Sequence, residues 1–413
     1  MKVAILLGST HIGGGTYVIF QHALHLRRRG WDVTIVTQQS ATNADVSWHP
    51  EAATELVFRT FEQIESESFD VAIATWFKTT YWLHKVQATS YLYFVQSIES
   101  RFFESWNQAA ISFAESTYLP RLPVVTEARW IRDYLSSRYG TQAELARNGI
   151  RKDIYTEEGP TIQPRVPGRL RVLVEGPLGV FFKNVEKTIE LCRKSSADEI
   201  WFLTSSPGVT SYPGVDRVFS CVPVEQTAAI YRSCDVIVKL SYVEGMFGPP
   251  LEMFHCGGTA IVFDVTGHEE YIVHNDNALV IRKDDNEAVI QAINSLRSDK
   301  ELLKRLKVGA LRTASSWPNW ETASEEFLRA LDKLAKLPSE SRESLASFSR
   351  VLGSWYDSHA IAQTESQGRC IEREQLRMIL SSRAFRILQK AKRLPGTSLA
   401  MRGMRKIKRV CRA

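Results

Sequence analysis

Short, nearly continuous runs of apolar and β-branched residues recur along the chain. Each is followed by a glycine-rich or polar turn and then by a stretch with apolar positions three and four apart. Val3 to Leu7 is the first run. Gly8 to Gly15 is its loop, and Thr16 is the expected cap of a helix carrying Val18, Ile19, Ala23, Leu24 and Leu26 on one face up to Gly30. Trp31–Thr37, Phe69–Thr75, Tyr91–Val95 and Pro123–Thr126 repeat the strand signal, and Thr126 is expected to open a helix from Glu127 to Tyr139. Runs without polar alternation suit strands covered on both faces, as in parallel sheets. Residues 151–168 hold Pro160, Pro164 and Pro167 and show no period, which reads as an interdomain connection. The strand signal resumes at Leu170–Glu175, Ile200–Thr204, Asp235–Leu240, Thr259–Phe263 and Ala278–Ile281. Helices are expected at Gln226–Tyr231, Asn286–Leu296, Lys300–Ala314 and Trp320–Leu337, the last long and amphipathic.

The pattern predicts an α/β protein with two doubly wound, Rossmann-like domains. The expected boundaries are 1–150, a linker at 151–168, a second domain at 169–320, a helix at 321–337 returning to the first domain, and a polar then basic tail at 338–413. A length of 413 residues fits two cores rather than one. No run approaches the roughly eighteen apolar residues of a membrane span, and the apolar run after Met1-Lys2 is too short for a secretion signal. Six scattered cysteines form no C-x-x-C and no metal spacing with histidine, so a reducing compartment is expected. The net charge of +6 is unevenly placed: from Arg383 onward there are eleven Lys and Arg and no acid, which leaves about −5 (6 − 11) for the rest.

The richest chemistry lies between Cys234 and Gly267. A buried strand runs into Glu244, Gly245, Gly248 and Pro249-Pro250, which forbid a helix and make a sharp turn. Leu251 to Cys256 then continue as helix until Gly257-Gly258 stop it. The helix N-terminus therefore opens at the carboxyl edge of a sheet, where anionic ligands bind. Glu252 alone could be a helix-start carboxylate, but that does not account for Glu244, the glycines and the prolines together. A dinucleotide-binding reading of the first loop fails on its own terms. Gly13-x-Gly15 is present, but Val18 stands at the third glycine position, and the second strand ends in Thr37-Gln38-Gln39 without an acid for a ribose.

Glu244-x7-Glu252, with Tyr231, Cys234-Asp235-Val236, Ser241, Gly245, Gly248, Pro250, Cys256-Gly257 and Gly267 in order around it, resembles the retaining nucleotide-sugar glycosyltransferases of family 4. The resemblance implies the GT-B fold, two Rossmann-like domains facing each other across a cleft. Arg147-Asn148-Gly149-Ile150 is similar to the "NGI" that ends the first domain in that family. Tyr93-Phe94-Val95-Gln96-Ser97-Ile98-Glu99 is similar to a bacterial subset that includes rhamnosyltransferases building surface polysaccharides such as O-antigen. By resemblance Glu244, Lys183 and Gln96 are the candidate catalytic residues. Glu252, Gly245, Phe247, Gly248, Gly14, Gly15 and Gly176 would bind the donor, the residues near Phe247 through backbone N–H groups, and Glu99 would face the acceptor. The family's diphosphate-binding Arg has no counterpart between Gly176 and Lys183.

These observations together lead to the expectation of a retaining hexosyltransferase. It would take a nucleoside-diphosphate sugar to a lipid-linked or oligosaccharide acceptor, with no cofactor or metal, because a helix N-terminus and Lys183 can stabilise the leaving diphosphate. The leaving phosphate would take the acceptor's proton. Another enzyme on the same fold, such as a sugar-nucleotide epimerase, and a non-catalytic sugar-nucleotide binder are the alternatives. The segment Arg383–Arg412 mixes Lys and Arg with Leu, Ile, Phe and Met, and is expected to attract anionic lipid. The protein would thus be cytoplasmic, peripheral on the inner face of the plasma membrane. No nucleic-acid partner is expected, since no aromatic stacking platform accompanies the charge.

Overall fold

The computed structural model describes residues 1–356, 358 and 359. The basic segment Arg383–Arg412 lies outside them. Residues 1–353 form one compact unit that contains two all-parallel sheets.

The first sheet is built from β1 (Lys2–Leu6), β2 (Asp32–Thr37), β3 (Val57–Thr60), β4 (Ser68–Ala74), β5 (Gln87–Val95), β6 (Val124–Thr126) and β7 (Ala143–Leu145), in the order β3-β2-β1-β4-β5-β6-β7. The second is built from β8 (Arg171–Glu175), β9 (Glu199–Thr204), β10 (Arg217–Ser220), β11 (Val236–Lys239), β12 (Thr259–Phe263) and β13 (Ala278–Ile281), in the order β10-β9-β8-β11-β12-β13. The central strands are buried on both faces, as at Val236–Lys239 and Thr259–Phe263, which is what their unbroken apolar runs require. Strand order reverses between β1 and β4 in one sheet and between β8 and β11 in the other. At such a reversal the following loops diverge to opposite faces and leave a crevice at the carboxyl edge.

Three strands, β3, β7 and β10, carry no sequence signal among those expected. All three are edge strands and only partly buried, so nothing selects a continuous apolar run in them.

Two helix starts differ from expectation. The first helix runs Gly14–Arg28, with Gly13 as an extended cap and no side-chain cap. Thr16 instead donates to the Ser9 carbonyl at 3.2 Å and braces the loop. The helix after β6 runs Arg129–Tyr139. Thr126 spends its hydroxyl on the Val95 carbonyl at 2.7 Å, within the sheet, and Glu127 is left in the turn. Phe181–Lys183 is a single 3-10 turn, and Asn184, at φ +53°, leads into the helix Val185–Lys194.

The helix Trp320–Leu334 packs on the helix Gly14–Arg28. His22 Nδ1 lies 2.9 Å from Ser324 Oγ, and its ring stacks on Phe327 at 4.1 Å. Ala323, Phe327 and Leu331 thereby join the core of Val3, Ile5 and Ile19 under the first sheet. Residues 338–353, expected as the start of the tail, pack on the opposite face of the first sheet: Leu345 is buried in the core of Ala4, Leu6 and Tyr91, and Phe348 stacks on Tyr81 at 5.3 Å. No helix among the described residues is long and apolar enough to cross a membrane.

Phe327→Ala is expected to cost about 3–5 kcal/mol, because it removes a fully buried ring from the seam between these two helices. A lowered urea midpoint would report the loss.

Candidate active site

A cavity of about 620 Å³ lies where the carboxyl edges of the two sheets meet. The second sheet contributes a chain of alternating charges. Glu175 ends β8 and Lys239 ends β11, the two strands flanking the reversal, and their side chains meet at 2.5 Å. Glu244 follows β11. Lys183 Nζ donates to both its carboxylate oxygens at 2.9 Å, while Lys239 lies 3.9 Å away. Glu244 and Lys239 are almost fully buried. Burial alone would raise the Glu244 carboxyl, but the two ammonium groups outweigh it and hold it below the usual carboxylate range. Burial likewise opposes the charge on Lys239, and Glu175 and Glu244 overturn it, so its pKa is raised.

Glu252 sits in the helix Gly248–His255 and lines the same cavity. Burial pushes its carboxyl up to about 7; Glu175 repels it, while the hydroxyls of Tyr231 and Tyr155 hydrogen-bond to it and Lys239 attracts it. The helix begins with Pro249 and Pro250 just inside its start, where neither missing N–H is needed. Its N-terminus faces the cavity through Gly248 and Pro249.

Gly245 is required by close approach. A Cβ there would drive into the Gln96 carbonyl oxygen and lie 2.7 Å from Glu127 Oε1. Gly176 has φ +143°, a conformation side chains rarely adopt, and a Cβ would meet Val185 at 2.9 Å. It stands behind Lys183 and Lys239 and does not itself line the cavity. Phe247 does not line it either. Its ring is fully buried in the second-sheet core, and its carbonyl accepts from the Tyr271 hydroxyl, so only its backbone N–H remains for a ligand.

The first sheet supplies the opposite wall. Gly14 and Gly15 line it, and a Cβ added to Gly15 would lie 3.5 Å from the Gln96 amide. Gln96 Oε1, Ser97 Oγ, Tyr17 OH and Asn148 Oδ1 are buried there without hydrogen-bond partners. Glu99, expected to face an acceptor, lines the cavity. Its Oε2 turns inward, accepting from the Phe77 N–H at 2.6 Å and the Tyr93 hydroxyl at 3.2 Å, and so braces the end of β5. Burial pushes its carboxyl up to about 8 against these two donors.

Among the cavity residues that escaped the sequence reading are Lys239 and Glu127. Lys239 closes the run Val236-Ile237-Val238-Lys239; a cation ending a doubly covered strand must have a buried partner, and that was the available signal. Like Lys183, it faces Glu244. Glu127 was hidden inside an expected helix. It accepts from Asn148 Nδ2 at 2.7 Å and from the Met246 N–H at 3.0 Å. Burial raises it to about 8, with Glu244 and Glu270 adding repulsion.

Two parallel-sheet units with a shared cleft at their carboxyl edges define a GT-B fold. Residues 217–312 match the family described as Glycosyl transferases group 1. The chain is 23% identical over 363 residues to an O-antigen biosynthesis protein of Myxococcus xanthus, covering 82% of this chain and 27% of that protein. It is 27% identical over 171 residues to a D-inositol 3-phosphate glycosyltransferase of Stackebrandtia nassauensis, covering 41% of this chain and 35% of the relative. The chain thus spans about a third or less of these relatives' length. Among solved structures, Anabaena HepE in complex with UDP-glucose superposes with a TM-score of 0.65 at 13% identity, over 81% of this chain and 100% of that one.

The raised carboxyls fix the sign of a pH effect. Glu99, Glu127 and Glu252 hold protons in the folded chain that they lose above about 4.5 when unfolded. Their contribution is complete below that value and is lost as pH rises through 7 and 8. The thermal midpoint should therefore fall between pH 6.5 and 8, a window above that of the buried His22, whose own contribution changes between about 3 folded and 6.5 unfolded. Glu127→Gln should flatten that fall.

Proposed function

We propose that this chain is a glycosyltransferase that moves a sugar from a nucleoside-diphosphate donor to a glycan acceptor. The observation that carries the reading is the paired charge at the second sheet's reversal: Glu244 bridged to Lys183 and Lys239, beside the N-terminus of the helix Gly248–His255. The group 1 domain match and the UDP-glucose complex of HepE support the same donor class.

In this reading an arriving diphosphate competes with Glu244 for the Lys183 ammonium. Glu244 then turns its freed oxygens to hydroxyls of the donor sugar, and Lys239 keeps it ionised. Lys183 and the helix N-terminus stabilise the charge that grows on the diphosphate as the C1–O bond breaks. This positive charge suffices for a metal-independent step. Glu252 accepts from the ribose hydroxyls. Configuration at C1 is retained, and the leaving phosphate takes the acceptor's proton. Gln96 offers a hydrogen bond but no proton.

The acceptor we propose is lipid-linked, within bacterial surface-polysaccharide synthesis; the O-antigen name of the Myxococcus relative supports the polysaccharide class. A deoxythymidine-linked rhamnose is the first donor to try, because of the Tyr93–Glu99 resemblance. The segment Arg383–Arg412 would hold the protein on anionic lipid at the cytoplasmic face.

A thermal-shift screen of sugar nucleotides should select one donor, with a shift that survives a chelator; loss of the shift in chelator would overturn the metal-free step. Glu244→Gln is expected to lower kcat about 10²- to 10³-fold, and Ala at both Glu244 and Glu252 to abolish transfer. Unchanged transfer in the double variant would refute the site. For the membrane, full-length protein should pellet with anionic liposomes more than a version ending at Ser382, and equal pelleting would remove the anchor.

A further inference from the structure

The turn that carries Glu244 belongs to the second sheet, yet its central peptide is held from the first. The Gly245 carbonyl accepts from the indole Nε1 of Trp130 at 2.8 Å. The N–H at the other end of the same peptide, that of Met246, donates to Glu127 at 3.0 Å. Both gripping residues follow β6 and lie more than a hundred positions from the turn. Each is braced in turn. Glu127 is fixed by Asn148. The Trp130 backbone N–H donates to Glu270 at 3.2 Å, which also receives Arg129 at 3.1 Å, and the Arg101 guanidinium lies over the Trp130 ring at 5.1 Å. The approach is so close that Gly245 can carry no side chain, since the Gln96 carbonyl occupies the space.

We infer that Glu127 and Trp130 are positioning residues, gripping the Gly245–Met246 peptide so that closure of the cleft sets where Glu244 meets the donor. This rests on the proposed transfer from a sugar nucleotide. If the sheets part, the peptide either loses both partners or travels with the first sheet. Lys183, in a loop of the second sheet, does neither. In the second case the 2.9 Å contact between Lys183 and Glu244 is broken, and in the first the turn that carries Glu244 loses the two hydrogen bonds that fix it. The group that holds the donor sugar is thereby tied to the wall that would hold the acceptor, and a donor bound in an open cleft meets an incompletely formed site. That arrangement would limit hydrolysis of the donor before an acceptor arrives.

The test uses the full chain and two substitutions. Trp130→Phe removes one donor and keeps the packed ring; Glu127→Gln keeps the shape and replaces the protonated carboxyl with an amide. Without any ligand, amide exchange over residues 244–248 should accelerate about tenfold in Trp130→Phe, the size expected for one lost hydrogen bond. Unchanged exchange in both variants would overturn the grip, and it does so whether or not a donor is known. With the sugar nucleotide that the thermal-shift screen selects, kcat should fall about tenfold while KM for the donor stays within about twofold. A change confined to KM, or none, would overturn the positioning role. If the wild type turns over no sugar nucleotide, the functional reading fails, and the exchange measurement still decides the grip.

Discussion

Four charges in a row, Lys183, Glu244, Lys239 and Glu175, set the terms for the cleft. Taking ions out of water costs several kcal/mol each, and attraction in the interior offsets this only when geometry is good and every charge has a partner. Here the signs alternate, so each inner charge has an opposite one on both sides. Such a chain is weak as a source of stability. A well-packed apolar set would do as well. Its placement at the end of β8 and β11 puts all four charges on the cavity wall.

The same chain explains what could be read beforehand. The central strands were legible because burial on both faces forces unbroken apolar runs, and the bend after β11 was legible because Gly245, Gly248, Pro249 and Pro250 have few other uses. Glu244 and Lys183 followed from the resemblance, sixty-one residues apart in sequence and in contact in space. The edge strands β3, β7 and β10 left no trace, since water covers part of each and relaxes the pattern. Glu127 was missed for a different reason. Thr126 looks like a helix cap, and only the three-dimensional sheet shows its hydroxyl already spent on Val95. Glu99 has a second duty that the sequence does not show: it lines the cavity, but its Oε2 also serves the Phe77 N–H and the Tyr93 hydroxyl.

The two walls of the cavity are unlike in a way that follows from their chemistry. On the second-sheet wall the charged groups are paired within the protein, because an unpaired ion there would not stay ionised. On the first-sheet wall the groups are neutral, and Tyr17 OH, Gln96 Oε1, Ser97 Oγ and Asn148 Oδ1 have no partner. An unpartnered hydroxyl or amide is tolerable at a modest cost, whereas an unpartnered carboxylate is not. A fold can therefore leave neutral groups waiting and must keep charged ones occupied.

It follows that the two walls change differently when something enters the cleft. The first can gain hydrogen bonds without breaking any. In the proposed reading the second exchanges: Lys183 would leave Glu244 as far as a new anion replaced the carboxylate, with Lys239 still beside Glu244. Lys239 is the member of the chain anchored on both sides, between Glu175 and Glu244, and sealed from water. Exchange at constant charge costs far less than charging a buried group anew. A site organised this way can be entered and left repeatedly without paying the full desolvation of an ion at each step.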